Sequence, residues 1–125
     1  MILLKWLVAL GMGAVGALHF LQPQGFVAIV PTFLPRPLAI VYLSGVIEIV
    51  LGAALLFDRT RRWAAYGLIA LFIAVFPANI NMAINHIQLD PAAPIPVWAM
   101  WARLPLQFVF IFLAWLLARR APHFR

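Results

Sequence analysis

The stretch LAIVYLSGVIEIVLGAALLF, residues 38–57, decides the fold of this chain. Twenty residues in an α-helix rise about 30 Å, the thickness of a bilayer's hydrocarbon core, and only one of these twenty is charged. That residue is Glu48, about 15 Å into the helix and close to the midplane. Three further apolar runs accompany this one, at 2–21, 63–86 and 104–118. Lipid offers the backbone no hydrogen-bond partners, so a spanning segment must be a helix or part of a closed barrel. Runs this continuous lack the alternation of barrel strands. The expectation is therefore a single all-α domain over residues 1–125, a bundle of four transmembrane helices.

Composition agrees. The chain is 66% hydrophobic and 10% charged, with no cysteine. A soluble domain of this length is rarely so apolar. The absence of cysteine excludes disulfides, thiol redox chemistry and thiolate metal sites. The net charge of +6 does not imply nucleic acid, because the basic residues sit beside the apolar runs, where topology and anionic headgroups account for them. The first run reads as a span rather than a cleaved signal peptide, since Lys5 with the few residues before it makes a poor basic leader.

Four spans place both termini and the turn DRTRR (58–62) on one side. That side holds Lys5, Arg59, Arg61, Arg62, Arg119, Arg120 and Arg125, against Arg36 and Arg103 on the other. The positive-inside rule then predicts cytoplasmic termini. The fourth run is short, and Arg119 and Arg120 extend its reach by snorkelling. The two outer connections, QPQGFVAIVPTFLPRP (22–37) and IQLDPAAPIPVWAMWAR (87–103), are apolar and proline-rich. They read as loops partly embedded in the interface, with Trp98 and Trp101 at headgroup level. The fragments HFLQP (19–23) and HIQLDP (86–91) form a faint internal echo at the start of each connection.

Polar residues within a membrane are costly and are functional candidates for that reason. Ser44 lies one turn from Glu48 on the same face. His19 and Asn79 fall in the outer third of their helices, about 24 Å from the inner ends. Arg103 and Gln107, at i and i+4, open the fourth helix on a shared face. These six predict a polar, ligand-binding pocket in the outer half, with Glu48 as its floor and the apolar loops as its roof. Asn81 and Asn85 point to a different face from Asn79, Met82 and His86. Each candidate also has a structural reading. A neutral Glu48 carboxyl can lock helices together by donating a hydrogen bond, and Asn79 can satisfy a carbonyl freed by Pro77. Arg103 can serve as an interfacial anchor.

Sharper chemistries find less support. His19 and His86 share a depth on different helices, as two axial haem ligands would, but nothing else points to haem. Glu48 lies too deep to join them around a metal ion. There is no carboxylate pair for acid/base hydrolysis, because Asp58 and Asp90 lie in loops. Ala9, Gly13 and Ala17 form a small-residue stripe that permits close helix approach, with Gly45 and Gly52 as counterparts on the second helix.

The segments GALHFLQPQGFVAIVPTFLP, YLSGVIEIVLGAALL, TRRWAA, FPANINMA and RLPLQFVFIFLAWL, taken in order, resemble the DoxX-like family of small four-helix membrane proteins. The resemblance runs from Gly16 to Leu117. It implies a bacterial inner-membrane protein associated with redox enzymes, founding relatives being linked to thiosulfate:quinone oxidoreductase. It marks His19, Glu48, Asn79, Arg103 and Gln107 as positions of interest without giving any a catalytic role. Two functions follow as expectations. One is an accessory membrane subunit that binds a quinone-like amphipathic molecule beside a redox partner, with Glu48 relaying protons. The other is a non-enzymatic assembly or scaffold protein, whose polar cluster is helix glue and whose tryptophan-rich loop docks another membrane protein. A transporter would need the four helices to form a homo-oligomer.

Overall fold

A computed structural model describes residues 2–88 and 92–122. Asp90, Arg125 and the end of the HIQLDP echo lie outside the described residues. The described residues form five helices: α1 (Ile2–Leu21), α2 (Pro23–Ile29), α3 (Pro37–Ala54), α4 (Arg61–Asn85) and α5 (Val97–Arg120). Among the described residues there is no strand. All but α2 are long and apolar enough to cross a membrane. The protein is an all-α, multi-pass membrane bundle, as its hydropathy predicts.

The observed α4 (Arg61–Asn85) and α5 (Val97–Arg120) differ from the expected 63–86 and 104–118, and three departures from the sequence reading have a clear local cause. The second span stops at Ala54 rather than Phe57, because the next residues turn and polar side chains take over the freed carbonyls. Thr60 Oγ1 donates to the Ala54 carbonyl at 2.7 Å, and Arg61 Nε donates to Leu55 at 2.8 Å. The FVAIV segment is no loop: most of it belongs to α2, which begins on Pro23 and buries Ile29. VWAMW is likewise helical. It forms the first turns of α5, which starts after Pro96 and carries Pro105 inside it. The sequence reading begins this span at residue 104, beside Pro105, a residue type that suits a first turn. Within α5 it instead costs one hydrogen bond, while Met100, fully buried, anchors the extra turns.

Helices α1 and α3 pack antiparallel along a seam with steps of three and four residues. Ala9, Met12, Gly16 and His19 are buried on α1; Val41, Gly45, Glu48 and Gly52 are buried on α3. This is coiled-coil spacing. The backbones nearly touch where glycines meet. A Cβ on Gly16 would lie 2.7 Å from Ile49 Cγ1 and 2.9 Å from the Gly45 carbonyl oxygen, and one on Gly45 would lie 2.8 Å from His19 Cβ. Gly45 and Gly52 thus act as expected, but the stripe predicted on α1 is displaced. Gly13 has nothing within 4 Å of a Cβ, and Ala17 is only half-buried. Ala9 begins the true stripe, which then follows Met12 and Gly16 one position around the helix.

The second pair, α4 and α5, is also antiparallel, with Phe72 beside Phe110 and Phe76 beside Phe108. Two apolar clusters hold the pairs together. One gathers Met12, Leu55, Leu68, Leu71, Ala114 and Leu117 at the end that carries both termini and the 58–62 turn. The other joins Ile29 of α2, Met82 and Ala83 of α4, and Met100 of α5 at the opposite end. Between these apolar ends lie the buried polar side chains.

Candidate functional site: two buried polar pairs

Among the described residues four polar side chains are buried, with exposures of 6% for His19, 7% for Glu48, 8% for Asn79 and 5% for Gln107. They form two pairs, one in each antiparallel helix couple. His19 and Glu48 meet across the α1–α3 seam, at the level where Gly16 and Gly45 let the backbones close. His19 lies near the end of α1, whereas Glu48 lies eleven residues into α3, so these helices are staggered by roughly nine residues, about 13 Å. That stagger brings together two residues whose sequence depths set them apart. Beyond Leu21 the chain turns into α2, which covers the remaining outer length of α3.

The geometry of the pair restricts its chemistry. His19 Nδ1 lies 2.7 Å from the Val15 carbonyl oxygen, which can only accept, so the Nδ1 proton points there. In the neutral ring this leaves the lone pair on Nε2. Glu48 Oε2 is 3.4 Å from the same Nδ1, close enough to interact but without a hydrogen bond. Among the described residues, Glu48 Oε2 and Arg62 Nε are the buried side-chain polar atoms that lack a hydrogen-bond partner. Phe26 of α2 stacks on the imidazole at 3.8 Å between ring centroids, with 15° between the planes. His19 is thus held by a carbonyl at one nitrogen and an aromatic plate on its face. Beside it sits a carboxylate oxygen with unused hydrogen-bonding capacity.

The other pair is hydrogen-bonded directly. Asn79 Nδ2 donates to Gln107 Oε1 at 2.6 Å, and Gln107 Nε2 donates to the Phe72 carbonyl at 2.5 Å. Pro77 has no N–H, so the Ile73 carbonyl loses its helical donor. Gln107 reaches the carbonyl next to it, bracing α4 just before the proline. The role foreseen for Asn79, rescue of the freed carbonyl, is not the one it takes: its amide donates to Gln107, and Gln107 bonds the neighbouring Phe72 carbonyl rather than Ile73.

Ser44 and Arg103 are half-buried, each about one turn from its pair, Ser44 from Glu48 and Arg103 from Gln107. His86 is exposed and caps α4 in the left-handed conformation, with φ 51°. The echo between HFLQP and HIQLDP therefore places its two histidines in unlike surroundings. No group of three or more metal-ligating side chains occurs among the described residues.

Some contributors carried no clear signal in the sequence. Asn81 Nδ2 donates to the Ile29 carbonyl at 3.0 Å, tying the end of α2 to α4, while Asn81 Oδ1 accepts from Asn85 Nδ2 at 2.6 Å. Their distinct helical face is legible from spacing, but their target is not. Gln88 clamps Ile95, donating to its carbonyl at 3.0 Å and accepting from its N–H at 2.9 Å. A groove of about 470 Å³ runs between α2 and α3, lined by Pro23, Gln24, Val27, Ala28, Leu38 and Tyr42. None of the six sequence candidates lines it. Tyr42 stacks on Phe20, the neighbour of His19, with ring centroids 5.3 Å apart.

Residues 8–118 match the family model described as Domain of unknown function (DUF8561). The chain belongs to the DUF8561 family. No curated protein and no solved structure matches it. The match takes in both buried pairs of this DUF8561 chain and both antiparallel helix couples. The family's description assigns no activity, so a functional reading rests on the residues themselves.

Proposed function

We propose that this protein is an accessory membrane subunit of a redox system, in which the His19–Glu48 pair exchanges a proton with a quinone-like amphipathic molecule. One observation carries the reading: the buried Glu48 Oε2 lacks a hydrogen bond and lies 3.4 Å from a histidine of fixed tautomer. A structural carboxyl buried for helix packing is expected to be satisfied, because an unmet polar atom is expensive in an apolar interior. A free carboxyl oxygen can take up and release a proton, and the imidazole beside it can do so at Nε2, its Nδ1 proton being held by Val15. Reduction of a quinone to a quinol consumes two electrons and two protons. A partner redox protein would supply the electrons, and the pair would pass protons one at a time. The resemblance to DoxX-like proteins supports this setting, and with it a bacterial inner membrane. The excess of basic residues at the end bearing the termini supports a cytoplasmic location for that end.

A second reading, assembly or scaffolding without chemistry, draws on the Asn79–Gln107–Phe72 chain. That network is closed within the protein, as helix glue should be. Mass spectrometry of small molecules that co-purify in mild detergent separates the readings. A stoichiometric quinone-class molecule with the natural chain, lost in Glu48→Gln, is expected. Bulk lipid alone in both samples, with unchanged thermal stability, would leave the scaffold as the better account.

A further inference from the structure

We infer that the groove between α2 and α3 is a binding site for an anionic phospholipid, with one acyl chain along the groove and the phosphate at Arg36. The groove's size, about 470 Å³, falls within the range of small-molecule sites. Its walls are mainly apolar, from Pro23, Val27, Ala28 and Leu38, and it lies at the end of the bundle away from the termini. Arg36 precedes α3 by one residue and Leu38 by two. It is exposed and makes no side-chain hydrogen bond or ion pair with any described residue.

Charge complementarity selects the occupant. Residues 22–47 contain no Asp or Glu, and Arg36 is their only Lys or Arg. An apolar channel with one uncompensated cation next to its α3 wall matches a molecule with an apolar tail and a single negative head. A zwitterionic lipid brings its own cation to the same place. A second copy docked symmetrically through this face would offer Arg36 no carboxylate, since residues 22–47 hold none. The site is separate from the His19–Glu48 pair, and its occupancy does not depend on the proposed redox role.

The test uses the full chain in nanodiscs of equimolar phosphatidylglycerol and phosphatidylcholine, with retained lipids counted by native mass spectrometry. The natural protein should retain phosphatidylglycerol preferentially. Arg36→Gln should lower that preference about fivefold, the effect of one basic residue at an anionic surface, and Arg36→Lys should restore most of it. Ala28→Trp, which fills the groove from an exposed position, should reduce retention with Arg36 intact. Equal retention of both lipids by the natural chain would overturn the assignment. So would a preference that Arg36→Gln leaves unchanged.

Discussion

Gly16 and Gly45 show what single residues contribute here, because the α1–α3 seam closes over a hydrogen atom at each. A Cβ on Gly16 would sit 2.7 Å from a side-chain carbon and 2.9 Å from a backbone oxygen, and the oxygen cannot move aside cheaply. Gly16→Val should therefore cost about 1–3 kcal/mol or more and separate His19 from Glu48. Gly13→Ala meets open space and should leave stability unchanged or raise it by up to about 1 kcal/mol. Thermal unfolding of the two variants in one detergent checks both. Gln107 is the other sensitive residue, since Gln107→Leu orphans Asn79 Nδ2 and removes the donor to Phe72. The expected loss is about 1–2 kcal/mol. In a double-mutant cycle, Asn79→Leu with Gln107→Leu should cost less than the sum of the single changes. Strict additivity would mean that the 2.6 Å bond is energetically silent.

At the scale of elements, the informative feature is where helices begin and stop. Pro105 marks a plausible start, and the apolar run after it measures as a short span. Only the burial of Met100 against Ile29, Met82 and Ala83 shows that α5 already exists at Val97. Cysteines placed singly at positions 97–103 should label with a helical period, slow at position 100 and fast at 98. A flat accessibility profile would restore the loop. Helix α2 was equally hidden, since seven residues between prolines carry too little periodicity to separate a short helix from an interfacial loop. Its value lies in position: Phe26 covers His19 while Asn81 of α4 holds the Ile29 carbonyl. Asn81→Leu should loosen α2, seen as faster hydrogen exchange over residues 23–29 with α1 and α3 unaffected.

For the whole molecule, the two antiparallel couples place both termini and the 58–62 turn at one end. Cysteines at Thr60 and Ala92 should consequently label from opposite sides of a sealed membrane, and labelling of both from one side would refute the four-span topology. That topology, the all-α class and the membrane setting were determined by the sequence alone. Hydropathy acts over twenty residues at a time, and the backbone in lipid has almost no alternative to helix. The sequence also determined which polar residues lie within the apolar spans, because residue type and depth along a helix are local properties. The partners were decided by tertiary structure. Depth counted along separate helices set His19 apart from Glu48, and the stagger of α1 against α3 brought them to 3.4 Å. The same packing divided one anticipated pocket into a pair without a mutual hydrogen bond and a pair joined by one. Stagger and rotation depend on which small residues let two backbones approach, a relation between helices that no single segment encodes.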